Sequence, residues 1–365
     1  MEPLHRRIRS TGMNEASLEF LKKLTDAASP SYHEEDAAAV FHEHCATFAD
    51  EVRTDLMGNV IAVLNPAAEF RVLLSGHIDE IGLIVSTISE EGQLYFKPIG
   101  DWDPAVLVGQ RVWIRGQIPG VIARTPVHLL SEDERHKVCE LYEMSIDIGV
   151  STRETAEKLV EVGDEAVLHG SLLRLGENTV IARGLDNKSG AYVVAETLRR
   201  AKDRLRKDIG LYAVGAVQEE VGYRGAASAG FGIAPQIGIA VDVSHASDYQ
   251  QAHSGHLARI ALGKGPVIAR GANVNPVVYR LLRKAAEDAD RPFQLEAEGE
   301  SSYTDAAALQ TSGVGVATGL IGVPLRYMHT PCEMLRLDDL EACVDLLVNF
   351  CLALDPTIDL TPKRI

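Results

Sequence analysis

The chain has 365 residues, with 36 Lys and Arg against 52 Asp and Glu, which gives a formal net charge of −16. Its 46% hydrophobic and 24% charged residues are the composition of a globular protein, not of a disordered one. The acidity argues against sequence-independent nucleic-acid binding, which needs a basic surface to displace counterions. No apolar run reaches the roughly 18–20 residues that a membrane-spanning helix requires.

At about 150 residues per domain, the length suggests two domains or one large domain with an insertion. Residues 1–12 carry His5, Arg6, Arg7 and Arg9 with no apolar stretch behind them, so they read as a mobile tail and not as a secretory signal. Leu18, Leu21 and Leu24 then recur at helical spacing behind Asn14, a plausible cap. Ser31-Tyr32-His33-Glu34 reads as a capping box that opens a second helix through Val40 and Phe41. Strand-like runs follow at 51–55, 59–64 and 72–74.

From Gly82 to about Val167 the pattern becomes short β-rich runs punctuated by Gly and Pro, at 93–97, 110–115, 120–123 and 144–148. An exposed polar loop is expected over 131–140 and a short helix over 151–159. Strands at such spacing suggest a small barrel or sandwich. After Leu168, strands at 209–217, 237–243, 292–297 and 314–322 alternate with helices at 190–201, 275–289, 304–311 and 337–354, with a loop around Phe231-Gly232. This alternation is the α/β signature of a sheet covered by helices. The expected organisation is one discontinuous α/β domain, residues 1–84 plus 167–365, interrupted by a β-rich insertion over 85–166. The five cysteines (Cys45, Cys139, Cys332, Cys343, Cys351) are odd in number and scattered, which fits reduced thiols in a cytoplasmic protein and no structural zinc finger. Cys343 and Cys351 fall in an apolar helical pattern, as core residues would.

Five places carry chemistry, and all fall in the α/β portion or at its edge. His77-Ile78-Asp79 ends an apolar run, and residues i and i+2 of an extended chain face the same side. Arg183-Gly184-Leu185-Asp186-Asn187-Lys188 precedes a helix that Asp186 or Asn187 could simply cap. Gln218-Glu219-Glu220-Val221-Gly222 follows an apolar strand and sets two carboxylates side by side, which repel unless a positive group lies beside them. Asp242 stands inside a strand pattern, where burial is costly unless the group is paired or metal-bound. Arg326-Tyr327-Met328-His329 follows the last apolar strand. Ligands bind at the carboxyl edge of open α/β sheets, and two His with several carboxylates at that edge have the composition of a two-metal hydrolytic site. Two weaker candidates remain. His245, His253 and His256 either line a cleft or sit in an exposed loop. Gly263-Lys264-Gly265-Pro266 lacks the full phosphate-loop pattern and reads as a turn.

In order along nearly the whole chain, these motifs resemble those of the tetrahedral (TET-type) aminopeptidases, metallopeptidase family forty-two, some of whose relatives carry an endoglucanase label. The resemblance implies a zinc-exopeptidase-like mixed sheet flanked by helices. It also implies two divalent ions per subunit, zinc or cobalt, with manganese an alternative. His77 and Asp242 would bind one ion, Glu220 and His329 the other, and Asp186 would bridge them. Glu219 matches the family's general base and Asp79 the carboxylate that supports His77. The implied reaction removes N-terminal residues from short peptides by a hydroxide held between the ions. A metal-dependent deacylase, an endoglucanase-type hydrolase or a non-catalytic assembly protein are the alternatives. The insertion corresponds to the family's dimerisation domain, and such dimers commonly build tetrahedral dodecamers. One stretch departs from the family: its usual Gly-Gly-Thr-Asp-Ala near the substrate pocket reads Ser302-Tyr303-Thr304-Asp305-Ala306 here.

Overall fold

The structure is a computed structural model and describes residues 13–249 and 258–362. The basic stretch 1–12, and His253 and His256, lie outside the described residues. The first helix, α1 (Glu15–Asp26), starts where the Asn14 side chain accepts the Ser17 amide at 2.9 Å, and it buries Phe20, Leu21 and Leu24. The second, α2 (Glu35–Ala46), corrects the capping-box expectation: its N-cap is Glu34 and no side chain caps it. The Ser31 hydroxyl is committed elsewhere, to the Asp79 carboxylate at 2.7 Å.

Strands β1 (Glu51–Thr54), β2 (Val60–Leu64) and β3 (Phe70–His77) come next. The chain then enters a closed barrel made by β4 (Gly82–Ile88), β5 (Leu94–Ile99), β6 (Arg111–Ile114), β7 (Ile118–Ala123), β8 (Ser145–Asp147) and β9 (Glu165–Leu168), in the order β4-β5-β8-β7-β6-β9. Its interior is apolar, with Leu83, Val85, Leu94, Phe96, Val112, Ile114 and Ile146 all buried. The polar stretch expected as a loop contains one exposed helical turn, α3 (Glu132–Arg135), capped by Ser131. A second short turn, α4 (Arg153–Ala156), lies within the expected short helix.

Beyond the barrel come β10 (Leu173–Leu175), β11 (Thr179–Ala182), α5 (Leu185–Ala201), β12 (Ile209–Ala216), α6 (Arg224–Ile233), β13 (Ile237–His245), β14 (Val267–Gly271), α7 (Pro276–Asp288), β15 (Gln294–Glu298), α8 (Asp305–Gln310), β16 (Ala317–Leu325), β17 (Glu333–Arg336) and α9 (Leu337–Ala353). Helix α6 replaces the loop expected around Phe231-Gly232. Its Gly and Ala content hid it from a reading based on large apolar residues, yet Ala226, Ala229 and Ile233 pack onto the sheet.

The main sheet has eight strands in the order β1-β2-β12-β3-β13-β16-β14-β15. Its centre is parallel: β12 with β3, β3 with β13, and β13 with β16. These strands are covered on both faces, so they read as near-continuous apolar runs without alternation. Helices α1, α2, α5, α7 and α9 join the larger core on one face, while α6 and α8 pack on the other. The start of α5 lies hard against β3 and β13, and two glycines allow this. A Cβ on Gly76 would sit 2.4 Å from the Gly190 carbonyl carbon, and one on Gly190 would sit 2.4 Å from the Val241 oxygen. The mixed sheet flanked by helices and the small barrel are both as the sequence led us to expect. Among the turns, Gly263-Lys264-Gly265 is filled from within: the Asp339 carboxylate accepts the Gly263 and Gly265 amides at 2.6 and 2.7 Å, which leaves no cradle for a phosphate.

Candidate metal centre

The parallel strands of the sheet deliver the five sequence candidates to one edge. His77 is the last residue of β3, and Gln218-Glu219-Glu220 leaves the end of β12. Asp242 lies near the end of β13, and His329 follows β16. Asp186 stands at the start of α5 beside a cis peptide to Asn187. The capping role belongs to Asn187, whose side-chain oxygen accepts the Gly190 amide at 2.9 Å, so Asp186 is free to face the site.

Asp186 lies between the two imidazoles. Its Oδ1 is 3.4 Å from His77 Nε2 and its Oδ2 is 3.3 Å from His329 Nε2. His77 Nε2 also faces Glu219 Oε2 at 3.6 Å and Asp242 Oδ1 at 3.8 Å. His329 Nε2 faces Glu220 Oε2 at 3.6 Å. Two triplets, His77-Asp186-Glu220 and His77-Glu219-Asp242, bring their ligand atoms within 4.8 Å of one another. The far ring nitrogens are held from behind: His77 Nδ1 is 3.1 Å from the Asp79 carbonyl oxygen, and His329 Nδ1 is 2.9 Å from that of Asp101, in the loop after β5. Such outer contacts fix the orientation of a ligand imidazole.

Asp79 does more than face His77. Its Oδ1 accepts the Glu219 amide at 3.1 Å and its Oδ2 accepts the Glu220 amide at 3.2 Å. One carboxylate thus locks the backbone of both glutamates, just after Gln218 takes the left-handed conformation at φ +56.

The donor set fits divalent cations. Imidazole nitrogens and carboxylate oxygens suit zinc and its neighbours. The separations of 3.3–3.8 Å between imidazole N and carboxylate O are longer than charge-assisted hydrogen bonds of about 2.7–2.9 Å. They are close to the roughly 3.3–3.6 Å between two ligands that each lie about 2.0–2.2 Å from one tetrahedral ion. Glu220 Oε1 is buried with no hydrogen-bond partner among the described residues, and a buried polar atom in that state calls for a partner.

The electrostatics agree. Burial pushes the Glu219 carboxyl well above its ordinary value, with the charges of Asp242, Asp305 and Glu220 adding to the effect against the opposing pull of His77. Burial and the Asp186 charge raise Glu220 in the same way. Burial lifts Asp242 to about 8. Burial disfavours ionisation of Asp186 too, yet the facing imidazoles of His329 and His77 hold it well below the usual carboxylate range. For His77 burial works downward, but Glu219, Asp186 and Asp79 raise the imidazole well above its ordinary value.

Three features escaped the sequence reading. Glu333, fully buried, accepts the Asp186 amide at 3.0 Å and the His329 amide at 2.9 Å, tying two distant segments together. Its signal was slight: one acid at the start of a short strand. Asp305 lies buried close enough for its charge to act on Glu219, with Oδ2 accepting the Ser75 hydroxyl at 2.6 Å and Oδ1 without a partner among the described residues. It stood in the noted stretch 302–306 but had no role there. Glu80, one residue after Asp79, pairs with Lys188 at 2.7 Å and with Arg183.

The metal-centre residues open into a cavity of about 410 Å³, also lined by Ser244, His245, Glu296, Glu298, Ser302 and Tyr303. His245 therefore takes the cleft-lining alternative.

A model of the family described as M42 glutamyl aminopeptidase matches residues 58–346. The lysyl aminopeptidase of Pyrococcus furiosus is 34% identical over 320 residues, covering 86% of this chain and 90% of that one. Among solved structures, a TET aminopeptidase from a marine sediment Thaumarchaeota archaeon superposes with a TM-score of 0.89 at 34% identity, covering 93% of this chain and 97% of its own. The TET1 peptidase of Pyrococcus horikoshii, described as able to assemble into a tetrahedron or a large octahedral shell, gives 0.81 at 31%, covering 93% and 100%.

Proposed function

The chain belongs to the M42 glutamyl aminopeptidase family of metal-dependent peptide-bond hydrolases, and on that premise we propose that it removes N-terminal residues from peptides at a centre of two divalent ions. His77 and Asp242 would hold one ion and Glu220 and His329 the other, with Asp186 shared between them. Zinc or cobalt suits this set best, with manganese an alternative. The observation that carries the reading is Asp186, set with one oxygen toward each of two imidazoles whose other nitrogens are anchored to backbone carbonyls.

When bound, the ions supply Lewis acidity at the scissile carbonyl and a nucleophile at neutral pH. Glu219 does the proton work. Its burial keeps its proton affinity high, so it can take the proton of the attacking water and return it to the leaving amine. Asp79 is a positioning residue: it orients the His77 ring and pins the Glu219 and Glu220 amides. Carboxylates of the metal centre receive the free α-amino group by hydrogen bonding, which selects peptide ends.

The barrel insertion serves as the dimerisation element, and the dimers assemble into a tetrahedral dodecamer in the cytoplasm. The TET1 relative's shells support the assembly. No described helix is long and apolar enough to cross a membrane. The names of the family and of its lysyl relative, glutamyl and lysyl, point to side chains of opposite charge.

The test is Glu219→Gln, assayed on aminoacyl anilides with metal content measured alongside. Turnover should fall by about 10²–10⁴ with the ions retained. Near-normal turnover with the ions retained would remove Glu219 from the base role.

A further inference from the structure

Two carboxylates of the cavity lining stand apart from the metal centre in their charge neighbours. Glu296 and Glu298 are two apart on strand β15, and residues i and i+2 of a strand share a face. Both line the cavity. Ser244 on β13 donates its hydroxyl to Glu296 Oε2 at 2.7 Å. Ser302 and Tyr303 line the same cavity, with Tyr303 at φ +51 and 71% exposed. Tyr303 thus holds a left-handed backbone conformation, and its exposed phenol ring lies at the cavity lining. Asn273 fixes this loop by accepting the Ser302 amide at 2.6 Å.

The charge balance of this wall is one-sided. No Lys or Arg is among the cavity-lining residues, and none occurs in the undescribed stretch 250–257. Glu298 has no hydrogen bond or ion pair among the described residues that would neutralise it. Burial and the neighbouring Glu296 charge both raise its carboxyl above the ordinary value. The charges acting most strongly on Glu219 are instead those of His77, Asp242, Asp305 and Glu220. The β15 pair is therefore a second acidic neighbourhood in the reactive cavity. The pair lines the same cavity as the residues of the metal centre, so it faces the space a bound peptide would enter.

We propose that this wall is the subsite for the side chain of the substrate's N-terminal residue and that it selects a cationic one, lysine or arginine. Glu296 and Glu298 take the ammonium or guanidinium, and Tyr303 packs along the apolar stem, which a long basic side chain presents while its head stays paired. A glutamyl side chain meets two like charges there and is disfavoured. The inference rests on the aminopeptidase reading above.

The experiment measures kcat/KM for lysyl, arginyl, leucyl and glutamyl anilides with the metal-loaded wild type, Glu298→Gln and Glu296→Gln/Glu298→Gln, at low and high salt. The lysyl and arginyl substrates should lead and the glutamyl substrate trail. The lysyl-to-leucyl ratio should fall about ten-fold or more in the double variant. It should also fall with added salt in the wild type, as screening weakens a partly exposed pairing. Because the ratio is internal to each variant, loss of folded enzyme does not move it. A wild type that prefers leucyl or glutamyl substrates, or a ratio unmoved by the double substitution, would overturn the subsite. Cleavage of none of the four would strike the aminopeptidase reading instead. In that case calorimetric binding of free L-lysine against L-leucine decides the subsite: tighter lysine binding that is lost in the double variant upholds it, and equal binding overturns it.

Discussion

Two buried acidic groups lie within a few residues of each other and behave in opposite ways. Glu80 is 2% exposed and is met by two cations, Arg183 and Lys188, with the Ser29 amide as a further donor. Burial alone would raise its carboxyl, but those cations bring it down to about 2. Three residues earlier, His77 faces Asp186, Glu219 and Asp242 with no lysine or arginine among them. Glu219, Glu220 and Asp242 there have raised proton affinity. The first group is neutralised by the chain itself and braces the strand end. The second carries an excess of negative charge that only added cations or protons can relieve. Proximity and burial do not distinguish these two groups, whereas a counter-charge supplied by the chain itself does.

The sharpest way to break this contrast is to unbalance the paired group. Glu80→Gln leaves Arg183 and Lys188 buried against a neutral amide and should cost about 3–5 kcal/mol of stability. Chemical denaturation should show the same loss with and without added metal. A loss that vanishes on adding zinc would mean that Glu80 belongs to the metal centre after all.

The unpaired group should give the reverse signature. Asp242→Asn removes a buried carboxyl that ionises only as pH approaches about 8, so above that pH the chelated protein should melt at the same or a higher temperature. The stabilisation that added zinc gives the wild type should meanwhile shrink sharply. The pH dependence follows from the same charges. A carboxyl whose folded value is raised, such as Asp242 at about 8, binds its proton more tightly folded than unfolded. Its contribution is therefore complete below the ordinary carboxylate value and is lost as pH rises through about 8. Raised Glu219, Glu220 and His77 act with the same sign, and Asp186, held low, acts only in acid outside this window. Thermal melts of the chelated wild type should fall steadily from pH 5 to 8, while the zinc-loaded protein changes less. A chelated protein that gains stability over that range would contradict the sign.

The smallest effect expected is at Ser31. Ser31→Ala removes one donor to Asp79, worth about 1 kcal/mol. It should lower kcat several-fold through the loosened Glu219 and Glu220 amides and leave KM nearly unchanged. A change confined to stability would reduce Asp79's link with Ser31 to packing.

Much of this contrast was legible in the residues. His77, Asp186, Glu219, Glu220, Asp242 and His329 sit at strand ends or a helix start, and an acid in an apolar run such as Asp242 is conspicuous because its burial is costly. Strands β3, β12, β13 and β16 were equally plain as apolar runs between turns. What stayed hidden depends on contacts between distant segments. The bond from Ser31 to Asp79 spans 48 positions and that from Glu333 to Asp186 spans 147, so no local pattern announces either. Helix α6 was hidden for another reason: its small residues pack closely on the sheet without producing a strong apolar stripe.

The most direct measurement is the number of divalent ions bound per chain, by calorimetric titration of the chelated protein with zinc and elemental analysis of the product, paired with aminoacyl anilide turnover at each step. Two ions per chain, with turnover rising as they load and falling again on chelation, is the expected result. No bound ion, or full turnover that survives exhaustive chelation, would contradict it.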